Sequence, residues 1–107
     1  KSYKFEATLY VIALKATLYS EVEMPITRLV LDVLKTIKGS SIVELAEKIA
    51  EIPGIRTVNI KVNEIDVETL TLTIVIEGER IDFTKIKNII DSMGAVIHSV
   101  DEVTATK

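Results

Sequence analysis

The chain has 107 residues, 48% of them apolar and 27% charged, with a net charge of −3 and no cysteine. That is the length of one domain and the composition of a globular one, with a core weighted to Ile, Val and Leu and hence to strands. An acidic balance without a basic run excludes the electrostatic footprint of a dedicated nucleic-acid binder, and the missing thiols exclude disulfides, thiolate catalysis and cysteine-held metals.

Residues 1–23, "KSYKFEATLYVIALKATLYSEVE", form a distinct first segment. "ATLY" occurs at Ala7–Tyr10 and again at Ala16–Tyr19, nine residues apart. Nine is odd on a strand and half a turn out on a helix, so the two copies face opposite sides and make no repeat architecture. With no Gly or Pro, and with Thr, Tyr, Val and Ile throughout, residues 4–20 read as mainly extended: one long strand or two joined by a bend. A helix is the other reading. The apolar stretch around Leu9 to Leu14, bounded by Glu6 and Lys15, falls short of the roughly 20 residues that cross a bilayer. An apolar extension of this kind has three places to pack: the open face of the sheet, an edge of its own sheet, or the edge of a neighbour's. In the last case main-chain hydrogen bonds supply much of the affinity. The chain opens on Lys1, and "MPITRLVLDVLK" at Met24 reads as a natural start in its own right. The expected compartment is the cytoplasm, or the exterior if Lys1 is a processed terminus.

From Met24 onward the pattern is regular. "ITRLVLDVLK" alternates around Leu29, Leu31 and Val33, which predicts a strand with those three facing a core. "GSS" breaks it. Ser41 and Glu44 suit a capping box, and Ile42, Leu45, Ile49 and Ile52 recur at helical spacing until Pro53-Gly54 ends the helix. Val58, Ile60 and Val62 then alternate with polar residues, as do Leu70, Leu72, Ile74 and Ile76, with "EIDVE" as the hairpin link. Asp82 is a good N-cap for a second helix whose buried stripe is Phe83, Ile86, Ile89, Ile90 and Met93, and Gly94 is its expected left-handed C′ residue. "AVIHSVDEV", residues 95–103, is the last strand.

Strand–helix–strand–strand–helix–strand predicts an α+β, ferredoxin-like βαββαβ domain: a four-stranded antiparallel sheet with both helices on one face. The domain division is thus an N-terminal β extension over 1–23 and a ferredoxin-like domain over 24–107. The segments "RLVLDVLK" (28–35), "IPG…VN" (52–59), "NEID" (63–66), "IEGERIDF" (76–83) and "IHSVDEV" (97–103) together resemble an archaeal family of uncharacterised proteins, family two hundred and eleven of the domains of unknown function. The resemblance covers Met24 to Lys107. It implies a ferredoxin-like domain that assembles into homo-oligomers, with no assigned activity. One departure stands out: such proteins usually carry a turn with proline and histidine after the first strand, and this chain has "TIKGS" there.

His98 is the chain's one histidine, and with Ser99 and Asp101 it spells a hydrolytic triad. Successive strand residues point to opposite faces, so His98 lies on one side and Ser99 and Asp101 on the other, and no relay forms within the strand. The last strand of this fold runs antiparallel beside the first. A register with Val100 opposite Val30 sets His98 opposite Asp32 and Glu102 opposite Arg28, on the open face. Alternatively Val96 and Val100 face the helices and take His98 inside. A His98–Asp32 pair tunes strand pairing or a subunit contact; as a metal site it needs ligands from another subunit. Glu64, Asp66 and Glu68 of the hairpin link are candidates for a divalent cation such as Ca²⁺ or Mg²⁺, against the simpler reading of a solvated acidic tip. Thr57, Asn59, Lys61, Thr69, Thr71 and Thr73 make the open face polar, and it lacks the aromatics that stack bases.

These features point to a non-enzymatic, homo-oligomeric domain with a structural or assembly role. Its subunits are joined by the N-terminal strand adding to a neighbouring sheet, in a closed oligomer or a filament-like array. The expected partner is a second copy; neither nucleic acid, a membrane span nor a cofactor is expected. The alternative is a small-ligand or metal-binding regulatory module that uses Asp32, His98, Glu64, Asp66 and Glu68.

Overall fold

A computed structural model describes residues 24–107; residues 1–23, on which the reading of the N-terminal segment falls, lie outside the described residues. The elements are β1 (Ile26–Thr36), α1 (Ile42–Ala50), β2 (Ile55–Ile65), β3 (Thr69–Gly78), α2 (Phe83–Ser92) and β4 (Ala95–Ala105). The strands form one antiparallel sheet in the order β2-β3-β1-β4. This is the ferredoxin-like α+β arrangement that the sequence predicts. The central strands β1 and β3 are the most buried, and β2 and β4 are the two edges.

Both helices start and stop where the sequence places their signals. The Ser41 hydroxyl accepts from the Glu44 amide at 3.2 Å, and the Asp82 carboxylate accepts from the Lys85 amide at 3.3 Å. Each thereby satisfies one of the orphan N–H groups of a first turn, an effect of about 1 kcal/mol. Gly94 takes φ 77° after α2, and Gly54 takes φ 91° after Pro53. Both are left-handed conformations that a side chain disfavours.

The core lies between the helices and one face of the sheet. Leu29, Leu31 and Val33 of β1 and Leu72, Ile74 and Ile76 of β3 are buried there against Leu45, Ile49 and Ile52, and against Ile86 and Ile90 of α2. Full burial of each such side chain stabilises by roughly 1.5–3 kcal/mol, so this aliphatic layer holds the fold. One member breaks the pattern. Lys35, next in the inward-facing series of β1, is 1% exposed, and its Nζ donates to the Thr36 carbonyl at 2.9 Å.

Among the described residues, no helix covers the opposite face of the sheet. Its β1 row is Arg28, Val30, Asp32 and Leu34, with Glu77, Val75, Thr73 and Thr71 directly beside them on β3. Asp32 and Leu34 also meet β4 on this side.

Candidate functional site

The edge strand β4 does not run in simple alternation. Val33 pairs with Ile97 but Asp32 with Ser99, so His98 is left out of the ladder; Leu31 pairs with Val100 but Val30 with Glu102, so Asp101 is left out as well. These two β-bulges correct the predicted register. Val100 does not lie opposite Val30, His98 not opposite Asp32, and Glu102 not opposite Arg28, because each extra residue slides β4 by one position. Both expected contacts still form, diagonally. His98 Nδ1 lies 3.3 Å from Asp32 Oδ2, and Arg28 Nε donates to Glu102 Oε2 at 2.5 Å.

The face of His98 is settled by the same geometry. Its side chain is 75% exposed beside Asp32, and Val96 is also exposed, so neither enters the helix-covered core. The triad letters part company. Ser99 donates to Asp101 Oδ1 at 2.6 Å, while the imidazole pairs with Asp32.

Around this pair is a shallow cleft of about 250 Å³ lined by Asp32, Val33, Leu34, Thr71 and His98. Asp32 forms its floor, with a side chain 29% exposed, and His98 projects from its rim. Thr71 enters because β3 sets it opposite Leu34, a neighbour that sequence reasoning had not assigned to the site. Leu34 and Val96, paired across β1 and β4, leave exposed apolar surface next to the cleft.

At the other end of the open face, Arg28 bridges two carboxylates, Glu102 and Glu77, the latter at 3.2 Å. These hydrogen bonds, that to Glu102 foremost, hold the guanidinium above its ordinary pKa. Arg56 makes a similar pair with Glu79 at 3.2 Å, and both arginines line an open depression of about 510 Å³ with Pro25, Gly78, Thr104 and Lys107. Exposed pairs of this sort contribute little to stability, because solvent and salt screen them. The Arg28–Glu77 contact was legible in principle, since β1 and β3 set the two residues directly opposite each other.

The hairpin acids behave differently. Glu64 belongs to β2, and the turn proper is Asp66 to Glu68. The Asp66 carboxylate accepts from the Val67 amide at 2.7 Å, and the Asp66 amide donates to the Thr69 carbonyl at 2.8 Å. Among the described residues, no three Asp, Glu or His side chains gather into a group able to hold a metal ion. Nor is any described helix long and apolar enough to cross a membrane.

Comparison with known proteins places this geometry in context. Residues 27–107 match the family model DUF211, described as "Uncharacterized ArCR". A relative from the archaeon Methanocaldococcus jannaschii, named "Uncharacterized protein MJ0319", is 46% identical over 82 residues, which cover 77% of this chain and 84% of the relative.

Proposed function

The chain belongs to the DUF211 family, and on that footing we propose that it is a non-enzymatic, self-associating domain whose residues 1–23 join one subunit to the sheet of the next. The observation that carries the reading is the character of the edge strand β4. Val96, Val100 and Val103 stand 53%, 43% and 53% exposed along it, and Leu34 is exposed beside Val96 on the uncovered face. Sheet edges are templates for further strands unless bulges, charged residues, proline or covering elements blunt them. Here two bulges and the Asp101–Glu102 acids blunt part of β4, while Val96, Val100 and Val103 keep apolar surface exposed along it.

Sequence supplies the complementary part. Residues 1–23 precede the family match, contain no Gly or Pro, and combine strand-favouring Thr, Tyr, Val and Ile with an apolar middle. Strand addition gives such a segment backbone partners and covers apolar surface at the same time.

Hydrogen exchange tests the mode of contact. In the full chain, outward-facing amides of β2 or β4 exchange more slowly than in a chain that starts at Met24, by at least about tenfold for each amide that gains a partner strand. Equal protection of both edges in the two chains removes strand addition as the mechanism.

A further inference from the structure

We propose that residues 5–13 of a second copy lie along β4 as a fifth strand, with Phe5, Ala7, Leu9, Val11 and Ala13 on the helix side of the sheet beside Val100 and Val103. The inference rests on the self-association reading and deepens it, because it names the edge, the face and the segment that meet.

The face follows from the register. Val100 pairs with Leu31 and Val103 with Leu29, and residues directly opposite on neighbouring strands share a face. Leu29 and Leu31 are buried in the core, so both valines belong to the helix side. Cover on that side fades along β4: Ala95 is buried, Ile97 half-buried, and Val100 and Val103 exposed. Among the described residues, no strand beyond β4 continues the apolar layer.

The other edge is different. On β2 the corresponding row of Val58, Ile60 and Val62 pairs with Ile76, Ile74 and Leu72 of β3 and packs against the core. Of the apolar residues of β2, Ile65 at the hairpin turn is the exposed one. An incoming apolar row therefore has more to cover on β4 than on β2.

The sequence outside the described residues supplies that row. At the period of two of a strand, Phe5, Ala7, Leu9, Val11 and Ala13 fall on one face without a polar interruption, while the other face begins Lys4, Glu6, Thr8. One wholly apolar row and one mixed row suit an edge with a core side and a water side. The open-face row of β4 is mixed in the same way: Val96, Glu102 and Thr104 pair there with Leu34, Val30 and Arg28. Length agrees as well. Nine residues nearly match the eleven of β4, and residues 14–23 remain as a link of up to roughly 33–36 Å when extended. That link joins the described domain at the C-terminal end of β4, where the Thr106 amide donates to the Pro25 carbonyl at 3.0 Å.

The chain has no cysteine, so introduced ones report contact without background. Full chains with Val100→Cys are co-expressed with full chains that carry one cysteine at each of positions 5 to 13 in turn, then oxidised mildly. A disulfide needs Cα atoms within about 7 Å, so the bond marks neighbouring strands. The expected result is cross-linking between unlike chains with a period of two. Its maximum falls on one of residues 5, 7, 9, 11 and 13, at least about tenfold above the even positions on either side. With Val103→Cys in place of Val100→Cys the maximum moves along the same row. Ile60→Cys on β2 gives no cross-link, and circular dichroism establishes that each variant folds. A maximum on residues 6, 8, 10 or 12 overturns the face, and cross-linking to Ile60→Cys overturns the edge. Val100→Cys chains that cross-link to one another overturn the segment, because a second β4 then lies there. A chain with both cysteines that closes the bond within itself overturns the second copy. Light scattering separates this contact from the assembly reading. A full chain that is an oligomer but cross-links nowhere on β4 overturns the contact alone, and a monomeric full chain overturns both.

Discussion

Gly78→Ala is expected to lower stability by about 3 kcal/mol, at the upper end of what overpacking usually costs. Gly78 ends β3 where it crosses the turn that follows α1. A methyl group there falls far inside contact distance of the Gly54 carbonyl oxygen. Both sides of the clash are backbone, so neither can swing away as a flexible side chain would. Retreat of Gly54 is blocked in turn, because its carbonyl accepts from the Glu79 amide at 2.9 Å. It also takes φ 91°, with the Arg80 carbonyl close to where its own side chain would be. Two glycines therefore allow two segments to touch through their main chains. Gly39→Ala is the control. Its φ of 99° carries some strain, but nothing lies within 4 Å of the added carbon, so the loss is about 1–2 kcal/mol. Urea melts of the two variants give the comparison. Equal midpoints would mean that the close approach at Gly78 contributes nothing.

Lys35 yields the second large effect, and its sign depends on the replacement. The side chain lies on the core face of β1 between Leu70 of β3 and Ala95 of β4, fully buried, with its amine on the Thr36 carbonyl. No salt bridge from a described carboxylate reaches it. A buried cation that leans on one carbonyl has surrendered its hydration for a modest return. Lys35→Met keeps the stem and drops the charge, so its stability is expected to match or exceed that of the parent chain by up to about 1 kcal/mol. Lys35→Glu sets a buried carboxylate against a carbonyl oxygen that has lost its donor, and a loss of about 3–5 kcal/mol follows, enough to unfold a marginal domain. Thermal melts of both decide it. A strongly destabilised Lys35→Met would instead assign the amine a stabilising role that this burial argument does not contain.

Much of the fold was legible because local signals agreed. Ser41, Pro53-Gly54, Asp82 and Gly94 punctuate the chain at the observed element ends. The period-two runs of Leu29, Leu31, Val33 and of Leu72, Ile74, Ile76 supply the inner face. The site was legible only in part. Its two ion pairs were anticipated from an unbroken register, yet the register is broken twice in β4. Bulges at His98 and Asp101 depend on backbone geometry that side-chain alternation does not encode. The contacts survive because Asp32 and Arg28 reach diagonally. Lys35 was the opposite case. Its position was plain in the alternation, two residues after Val33, but a lysine letter reads as solvated when taken alone. Thr71 depends on pairing across β1 and β3, which no local pattern reveals.

The most direct measurement is the solution mass of the full chain beside that of a chain beginning at Met24, by light scattering at matched concentrations in the presence of chelator. The second chain keeps the whole described sheet and its family match while removing residues 1–23. The assembly reading expects the full chain to run as an oligomer and the shorter one to fall to a monomer. The same oligomer from both chains, or a monomer from both, would contradict it.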